Sequence, residues 1–476
     1  MSIFLVRYSE IGLKGPKARN DMETRLVRNL RISHKMLGQD ITIRTERGRI
    51  FVYSNDAKDS FKSISRVMGV KSFSEVLSVD FNSIDDIVDS VKNIFTEKVR
   101  GRTFAVLTRR TGNHKFTSID VSKRIADSIY SESRGVDLKN PDIQISLEIR
   151  QNKAYIIKDT TEGPGGLPIG SEARMTALIS GGIDSPVAAW MMLKRGSPVD
   201  MIFLSLAYPL DAIQFLKNAR SLYENWYFGY DPNIYIIDAG RLVDQYLSKG
   251  LMKYANVSFK KVMYNIAQKI GLKTGSYGII TGESSGQVSS QTPENLKELS
   301  RNMELPVHRP LIGFDKDDII KMSRKIGTFS NDKFGEFCSL FGDNPITHIE
   351  REELQQDLDN LIGYFPSSTE IHILKGSQID SFMSMIDRDY EIDAIAKDDV
   401  VIDLRDRLSY KQWHFKDALN IPMDKVVEKV RAFGNERKIV LYCQKGLQSA
   451  HMASRLRELG YNAFYLNVEK IRNQTP

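Results

Sequence analysis

The run Ser180-Gly181-Gly182-Ile183-Asp184-Ser185 constrains this chain more than any other stretch. The apolar Met175-Thr176-Ala177-Leu178-Ile179 before it reads as a buried strand. Pro186 to Lys194 after it reads as a helix with proline near its first turn. A strand, a tight glycine turn and a helix in that order put helix-start amides beside two residues without side chains. Such amides carry partial positive charge that suits phosphate, and the glycines let the backbone approach it closely. Ser180 and Ser185 add hydroxyl donors, while Asp184 either orients the loop or holds the magnesium that accompanies a nucleoside triphosphate. The Walker lysine is absent, so this is a different phosphate loop.

The pattern resembles the PP-loop of the ATP pyrophosphatases, which adenylate an oxygen with ATP and release pyrophosphate. Thr281-Gly282-Glu283-Ser284-Ser285-Gly286-Gln287, continuing to Gln291, combines a strand end, glycines and side-chain donors, and suits the opposite wall of a nucleotide site. A fixed cation at such a site would stabilise charge on a leaving pyrophosphate. Lys316, or Lys260 from the Lys260-Lys261 pair, is placed to supply it.

At 476 residues the chain has room for three or four domains, at about 100–200 residues each. It lacks a run of ~18 apolar residues, and its first eight are too short in their apolar part for a signal peptide. A cytoplasmic protein without a membrane partner is expected. The formal net charge is +7, and the first fifty residues hold eleven Lys/Arg against five Asp/Glu. Arg25, Arg28 and Lys35 recur at helical spacing, and Arg44, Arg47 and Arg49 surround a turn at Gly48. A solvated charged face accounts for such a run, as does a surface for nucleic-acid phosphate, and a nucleotide loop elsewhere in the chain favours the second. Two cysteines, Cys338 and Cys443, exclude a disulfide framework and a multi-cysteine zinc site. The seven histidines show no ligand spacing, so no transition metal is assigned.

The expected organisation is multidomain, α/β and α+β. Residues 1–75 read as a ferredoxin-like unit, with strands near 3–8, 41–45 and 49–53 around a helix near 16–37. Residues 76–165 follow with four strands and two amphipathic helices, and Thr103 to Arg110 followed by Lys115-Phe116-Thr117-Ser118 resembles a THUMP domain, an RNA-binding module. Gly163 to Gly170 reads as a linker. Residues 172–375 alternate strands and helices, which predicts a doubly wound parallel sheet with the loop at its carboxyl end. Ile371 to Lys375 is ambiguous. Residues 395–476 form a last small α/β domain, in which the apolar strand Lys438 to Tyr442 leads into Cys443 and a helix follows at 447–459. A loop curled there would aim amides at the sulfur and favour a thiolate or persulfide anion.

That segment resembles a rhodanese domain through Asp403-Leu404-Arg405, His414 to Pro422 and the Cys443 loop. It departs from thiosulfate-using members at Gln444 and Gln448, where arginines are common, and at Trp413, where glycine is. A protein persulfide is the expected donor. Taken in order, these motifs resemble the tRNA 4-thiouridine synthetase family, also called tRNA sulfurtransferase, over nearly the whole chain. The resemblance implies that ATP with Mg2+ adenylates O4 of the uridine at position 8 of tRNA and that a Cys443 persulfide delivers sulfur. Cys338, in Glu336-Phe337-Cys338-Ser339, then acts as resolving thiol, forming a transient disulfide with Cys443. It further implies nucleotide contacts at Leu178, Ile179, Ser180, Gly181, Gly182, Asp184, Ser185, Lys260, Gly282 and Gln291, with Asp184 and Lys316 central to adenylation. Phe203 and Leu204 replace a common His-Phe pair, so contacts there are backbone or apolar. The implied partners are tRNA, a cysteine desulfurase and, for a thiamine thiazole role, a sulfur-carrier protein. The oligomeric state is open between a monomer and a homodimer bridged by tRNA. Alternatives are the sulfur relay alone, a non-catalytic tRNA-binding protein, and a PP-loop ligase with an amine nucleophile, which would have no use for the Cys443 loop.

Overall fold

The computed structural model describes residues 1–46, 48–209, 211–251, 253–330, 347–361, 364–386, 390–444 and 446–468. The chain divides into two compact units, Met1–Ser171 and Glu172–Pro476.

In the first unit one nine-stranded sheet runs through both segments that the sequence separates at residue 75. Its order is Thr42–Glu46, Arg49–Ser54, Ser2–Arg7, Ser72–Asp80, Lys153–Ile157, Ile143–Arg150, Thr103–Thr111 and Gly135–Val136, with Thr161–Glu162 also on Ser72–Asp80. The strand Ser72–Asp80 joins the halves, pairing antiparallel with Ser2–Arg7 on one edge and Lys153–Ile157 on the other. The helices Pro16–Met36, Ile84–Val99 and Ser118–Ile129 begin where the sequence places them. Pro16 opens the first, and capping boxes Ser83/Asp86 and Thr117/Asp120 satisfy the first amides of the others.

The second unit holds two sheets. The larger runs Val307–His308, Ile279–Ile280, Met175–Leu178, Val199–Ser205, Asn233–Asp238 and Ile371–Lys375. Its first five strands are parallel. Val199–Ser205 is buried at every position, as a strand covered by helices on both faces must be. The ambiguous Ile371–Lys375 is the sixth strand and runs antiparallel to Asn233–Asp238. The smaller sheet is parallel throughout, in the order Glu391–Ile392, Ala463–Asn467, Ile439–Cys443, Val400–Asp403 and Leu419–Asn420. Among the described residues no helix is long and apolar enough to cross a membrane.

The two sheets of this unit share one apolar core, to which Leu204, Leu206 and Val243 contribute from one side and Leu447, Met452 and Leu456 from the other. The smaller sheet is further held by an ion pair, Arg405 Nη2 to Asp403 Oδ2 at 2.6 Å, with side chains 3% and 0% exposed. The Arg405 guanidinium lies 4.0 Å from the Trp413 ring centre and 5.3 Å from that of Tyr442. Trp413 therefore roofs the pair. Replacing Arg405 by Met would leave Asp403 charged and unpaired in the core, and breaking a buried pair costs about 3–5 kcal/mol. A lowered urea midpoint for R405M, followed by Trp fluorescence, is the expected result.

Candidate functional site

The strand Met175–Leu178 ends at the carboxyl edge of the larger sheet, and the turn after it runs into the helix Asp184–Lys194. The turn is braced from within. Ser180 N donates to Ser185 Oγ at 2.8 Å, and Gly182 N donates to Ser180 Oγ at 3.2 Å. The buried Ser185 hydroxyl thus shapes the loop, a role its expected use as a phosphate donor did not anticipate. Asn218 Nδ2 donates to the Gly181 and Gly182 carbonyls at 3.1 and 3.4 Å. Ile179 N bonds to Ile202 O at 2.9 Å and ties the loop to the next strand.

Asp184 and Lys316, expected to act together, meet. Lys316 Nζ lies 2.7 Å from Asp184 Oδ1 and 3.0 Å from Oδ2, and Gln287 Nε2 donates to Oδ2 at 2.9 Å. Each residue is the first of its helix. Gln287 was not singled out in the sequence, although it lies inside the quoted Thr281 to Gln291 run. Gln291 stands under that run, its Oε1 accepting from Ser284 N at 3.1 Å. Phe203 and Leu204 are buried in the sheet, and Phe203 stacks on Phe215 with ring centres 4.7 Å apart.

Gly282 lies against the loop. A Cβ there would fall 2.6 Å from both Ser185 Cα and Ser185 N. The next residue, Glu283, is 5% exposed. Its Oε2 accepts from Tyr264 Oη at 2.6 Å, Arg309 Nε at 2.8 Å and Thr281 Oγ1 at 3.0 Å. Lys260 Nζ stands 3.8 Å from its Oε1. Burial alone would raise the Glu283 carboxyl, yet Lys260, Arg309 and the Tyr264 hydroxyl hold it below its ordinary value. Lys261 does something else: it donates to the carbonyls of Leu299 and Arg301 at 2.9 and 2.5 Å, and burial pushes its ammonium down to about 8.

Cys443 closes the strand Ile439–Cys443 and is 2% exposed. Gly446, at φ +86°, donates its amide to Sγ at 3.2 Å, and Ser449 Oγ lies 3.4 Å away. One amide and one hydroxyl thus face the sulfur at the start of the helix Leu447–Glu458. The same helix docks beside the larger sheet, on the loop after Val199–Ser205 and the helix Gly240–Ser248: His451 Nδ1 donates to Leu206 O at 2.5 Å, Ser454 Oγ to Tyr208 O at 2.9 Å, and Arg455 Nε pairs with Asp244 Oδ2 at 2.9 Å. Cys338 lies outside the described residues.

In the first unit, Glu148 is 4% exposed and serves three guanidiniums. Arg49 Nε is 3.1 Å, Arg150 Nε 3.5 Å and Arg7 Nε 3.6 Å from its oxygens. Burial pulls Arg7 below its ordinary value; Glu148 opposes this, and Arg49 and Arg109 add to it. One carboxylate against three guanidiniums leaves a positive excess on this sheet. Of the helical arginines read from the sequence, Arg25 pairs with Asp21 at 3.0 Å on an exposed face. Arg47 lies outside the described residues. Arg49, from the same run, joins the Glu148 cluster.

Because Gly282 has no room for a side chain, Gly282→Ala is expected to push the Ser180–Ser185 loop from its strand, at an overpacking cost of about 1–3 kcal/mol. Faster hydrogen exchange at the Ser180 and Gly182 amides, with the rest of the sheet unchanged, is the measurable consequence.

Comparison with known proteins agrees with this architecture. Residues 170–361 match the model of the thiamine biosynthesis protein (ThiI) family, 3–74 the ThiI ferredoxin-like domain, 81–159 the THUMP domain and 389–468 the rhodanese-like domain. The tRNA sulfurtransferase of Thermoplasma acidophilum is 41% identical over 475 residues, covering 100% of this chain and 96% of the relative. That of Pyrobaculum aerophilum is 35% identical over 484 residues, covering 100% and 98%. Among solved structures, a 4-thiouridine synthetase in complex with RNA and bound ATP superposes with a TM-score of 0.66 at 29% identity, over 79% of this chain and 99% of the other. Full-length identity at this level, together with a phosphate loop, a THUMP segment and a cysteine loop in the same order, means that the chain belongs to the tRNA sulfurtransferase family.

Proposed function

We propose that this protein transfers sulfur to tRNA at the expense of ATP, converting the uridine at position 8 to 4-thiouridine. The observation that carries the reading is the Asp184–Lys316 pair, at 2.7 Å, set at the start of two helices beside the Ser180–Ser185 loop. Helix-start amides and a fixed ammonium together suit a polyphosphate. Lys316 would turn to the phosphates and stabilise charge on pyrophosphate as O4 of the uridine takes the adenylyl group. Lys260, Gly282 and Gln291 form the opposite wall. Magnesium bound with ATP would supply further neutralisation of the phosphates, and Asp184, released from Lys316, is the carboxylate fitted to hold it.

Sulfur then replaces oxygen. The terminal sulfur of a Cys443 persulfide attacks C4, AMP leaves with the former O4, and a uridine–S–S–Cys443 adduct remains. The Cys338 thiolate attacks the Cys443 sulfur, the S–S bond to the uridine breaks, and 4-thiouridine leaves with a Cys338–Cys443 disulfide behind it. A dithiol reductant restores both thiols. The Gly446 amide, which donates to Sγ at 3.2 Å, supports this role for Cys443. A protein persulfide donor, of the cysteine desulfurase type, fits a loop with Gln444 and Gln448 better than free thiosulfate does. The excess guanidinium charge around Glu148 supports the first unit as the RNA-phosphate surface. Sulfur relay to a carrier protein would need only the Cys443 domain.

Two variants separate the half-reactions. Cys443→Ala should abolish 4-thiouridine, read by mass spectrometry of tRNA nucleosides after incubation with ATP and a persulfide donor, while pyrophosphate release with tRNA persists. Asp184→Ala should abolish pyrophosphate release as well. Normal 4-thiouridine formation by Cys443→Ala would sink the relay.

A further inference from the structure

Glu283 is the buried carboxylate at the centre of a network around Lys260, and no step above uses it. Two features set it apart from a structural ion pair. Its donors are divided unequally: Tyr264, Arg309 and Thr281 all converge on Oε2, and Lys260 faces Oε1 from 3.8 Å, beyond hydrogen-bond length. The first group is itself locked, because Arg309 Nη2 also donates to Ser300 Oγ at 2.8 Å and to Tyr264 Oη at 3.2 Å. The carboxylate is therefore fixed by one oxygen and presents the other to an ammonium that it attracts without binding closely. The second feature is place. Glu283 follows Gly282, whose backbone abuts Ser185, so the network is anchored one residue from the phosphate loop.

A lysine has four rotatable side-chain bonds and a strongly hydrated head, and holding it in one direction requires a fixed counter-charge. Lys260 sits in the second turn of the helix Ala255–Thr274, with its side chain 19% exposed. We infer that Glu283, held by Tyr264 and Arg309, is a positioning residue that aims the Lys260 ammonium across the Ser180–Ser185 loop and thereby sets the affinity for ATP. Arg309 compensates the Glu283 charge on its own, so Lys260 can pass to a phosphate without leaving a bare carboxylate behind. The inference rests on the reading of that loop as the ATP site.

A double-mutant cycle on the full chain tests it, with Mg-ATP binding measured by calorimetry and KM and kcat by 4-thiouridine formation. Lys260→Met and Glu283→Gln should each weaken ATP binding by about tenfold, the size expected for a hydrogen bond to a charged group. If Glu283 acts through Lys260, the double variant should bind within about twofold of Lys260→Met alone. The loss in Glu283→Gln should fall on KM for ATP more than on kcat. Additive losses, or an unchanged affinity in Glu283→Gln beside a weakened Lys260→Met, would overturn the positioning role while leaving the ATP site standing. Unchanged affinity in Lys260→Met would instead remove Lys260 from the site, and the inference with it. Should Glu283→Gln not fold, Tyr264→Phe, which keeps the carboxylate and Arg309, runs the same cycle: non-additivity with Lys260→Met supports the role and additivity overturns it.

Discussion

Lys316 stands at the end of its helix where a cation is least favoured. The start of a helix carries partial positive charge, worth a few tenths to about 1 kcal/mol against a lysine there. Asp184, which opens the neighbouring helix, is well placed by the same rule. Their contact, at 2.7 Å, lets one carboxylate answer two helix starts and an ammonium at once. The sheet order, the packing of Gly282 on Ser185 and the bracing of the loop by Asn218 all keep these two helix starts facing each other. A site built this way has more positive potential than one carboxylate can neutralise, which is the condition for binding a polyanion.

The same logic repeats across the loop. Lys316 faces Asp184, and Lys260 faces Glu283. Without a ligand each cation is held by a carboxylate, so neither has to be desolvated alone. The two carboxylates differ in what they keep when their lysine leaves. Glu283 retains Arg309 and two hydroxyl donors, whereas Asp184 retains the neutral Gln287 amide. Departure of Lys316 would therefore expose a charge that departure of Lys260 would not, so the two ends of the proposed nucleotide site would differ in their response to a polyanion.

Much of this was legible in the sequence because it is written in local pattern. Ser180 to Ser185 between an apolar run and a helix gave the loop, and alternating strand and helix periods gave the parallel sheet. Asp184 and Lys316, 132 positions apart, were joined by resemblance, since no local rule pairs them. Tyr264 and Asn218 went unseen because their contacts are made across elements, and Gln287 was quoted within its run without its bond to Asp184 being foreseen for the same reason. The edge strand Ile371–Lys375 was ambiguous for a related reason: its side chains are mostly exposed or half-buried, so its apolar period is weak. The boundary expected at residue 75 lies within the Ser72–Asp80 strand, which pairs with strands of both segments. Ser185 was expected at the ligand from its place in the loop and from the resemblance, and its hydroxyl also accepts from the Ser180 amide, a contact made within the turn.

The helix Leu447–Glu458 joins the two chemistries of the second unit mechanically. Its start shapes the Cys443 loop, and its later turns dock through His451 and Ser454 on the segment that follows the Val199–Ser205 strand and through Arg455 on the helix Gly240–Ser248. Within that segment Asp211 accepts from the Leu206 amide at 2.6 Å and the Ala207 amide at 3.2 Å, and burial pushes its carboxyl up to about 6. Val199–Ser205 lies directly beside the strand that carries the phosphate loop. One helix thus fixes the direction of the sulfur loop relative to the sheet end where ATP is proposed to bind. Moving the helix that starts at the sulfur loop would break the His451–Leu206 bond and the Arg455–Asp244 pair together, because both contacts sit on that one helix.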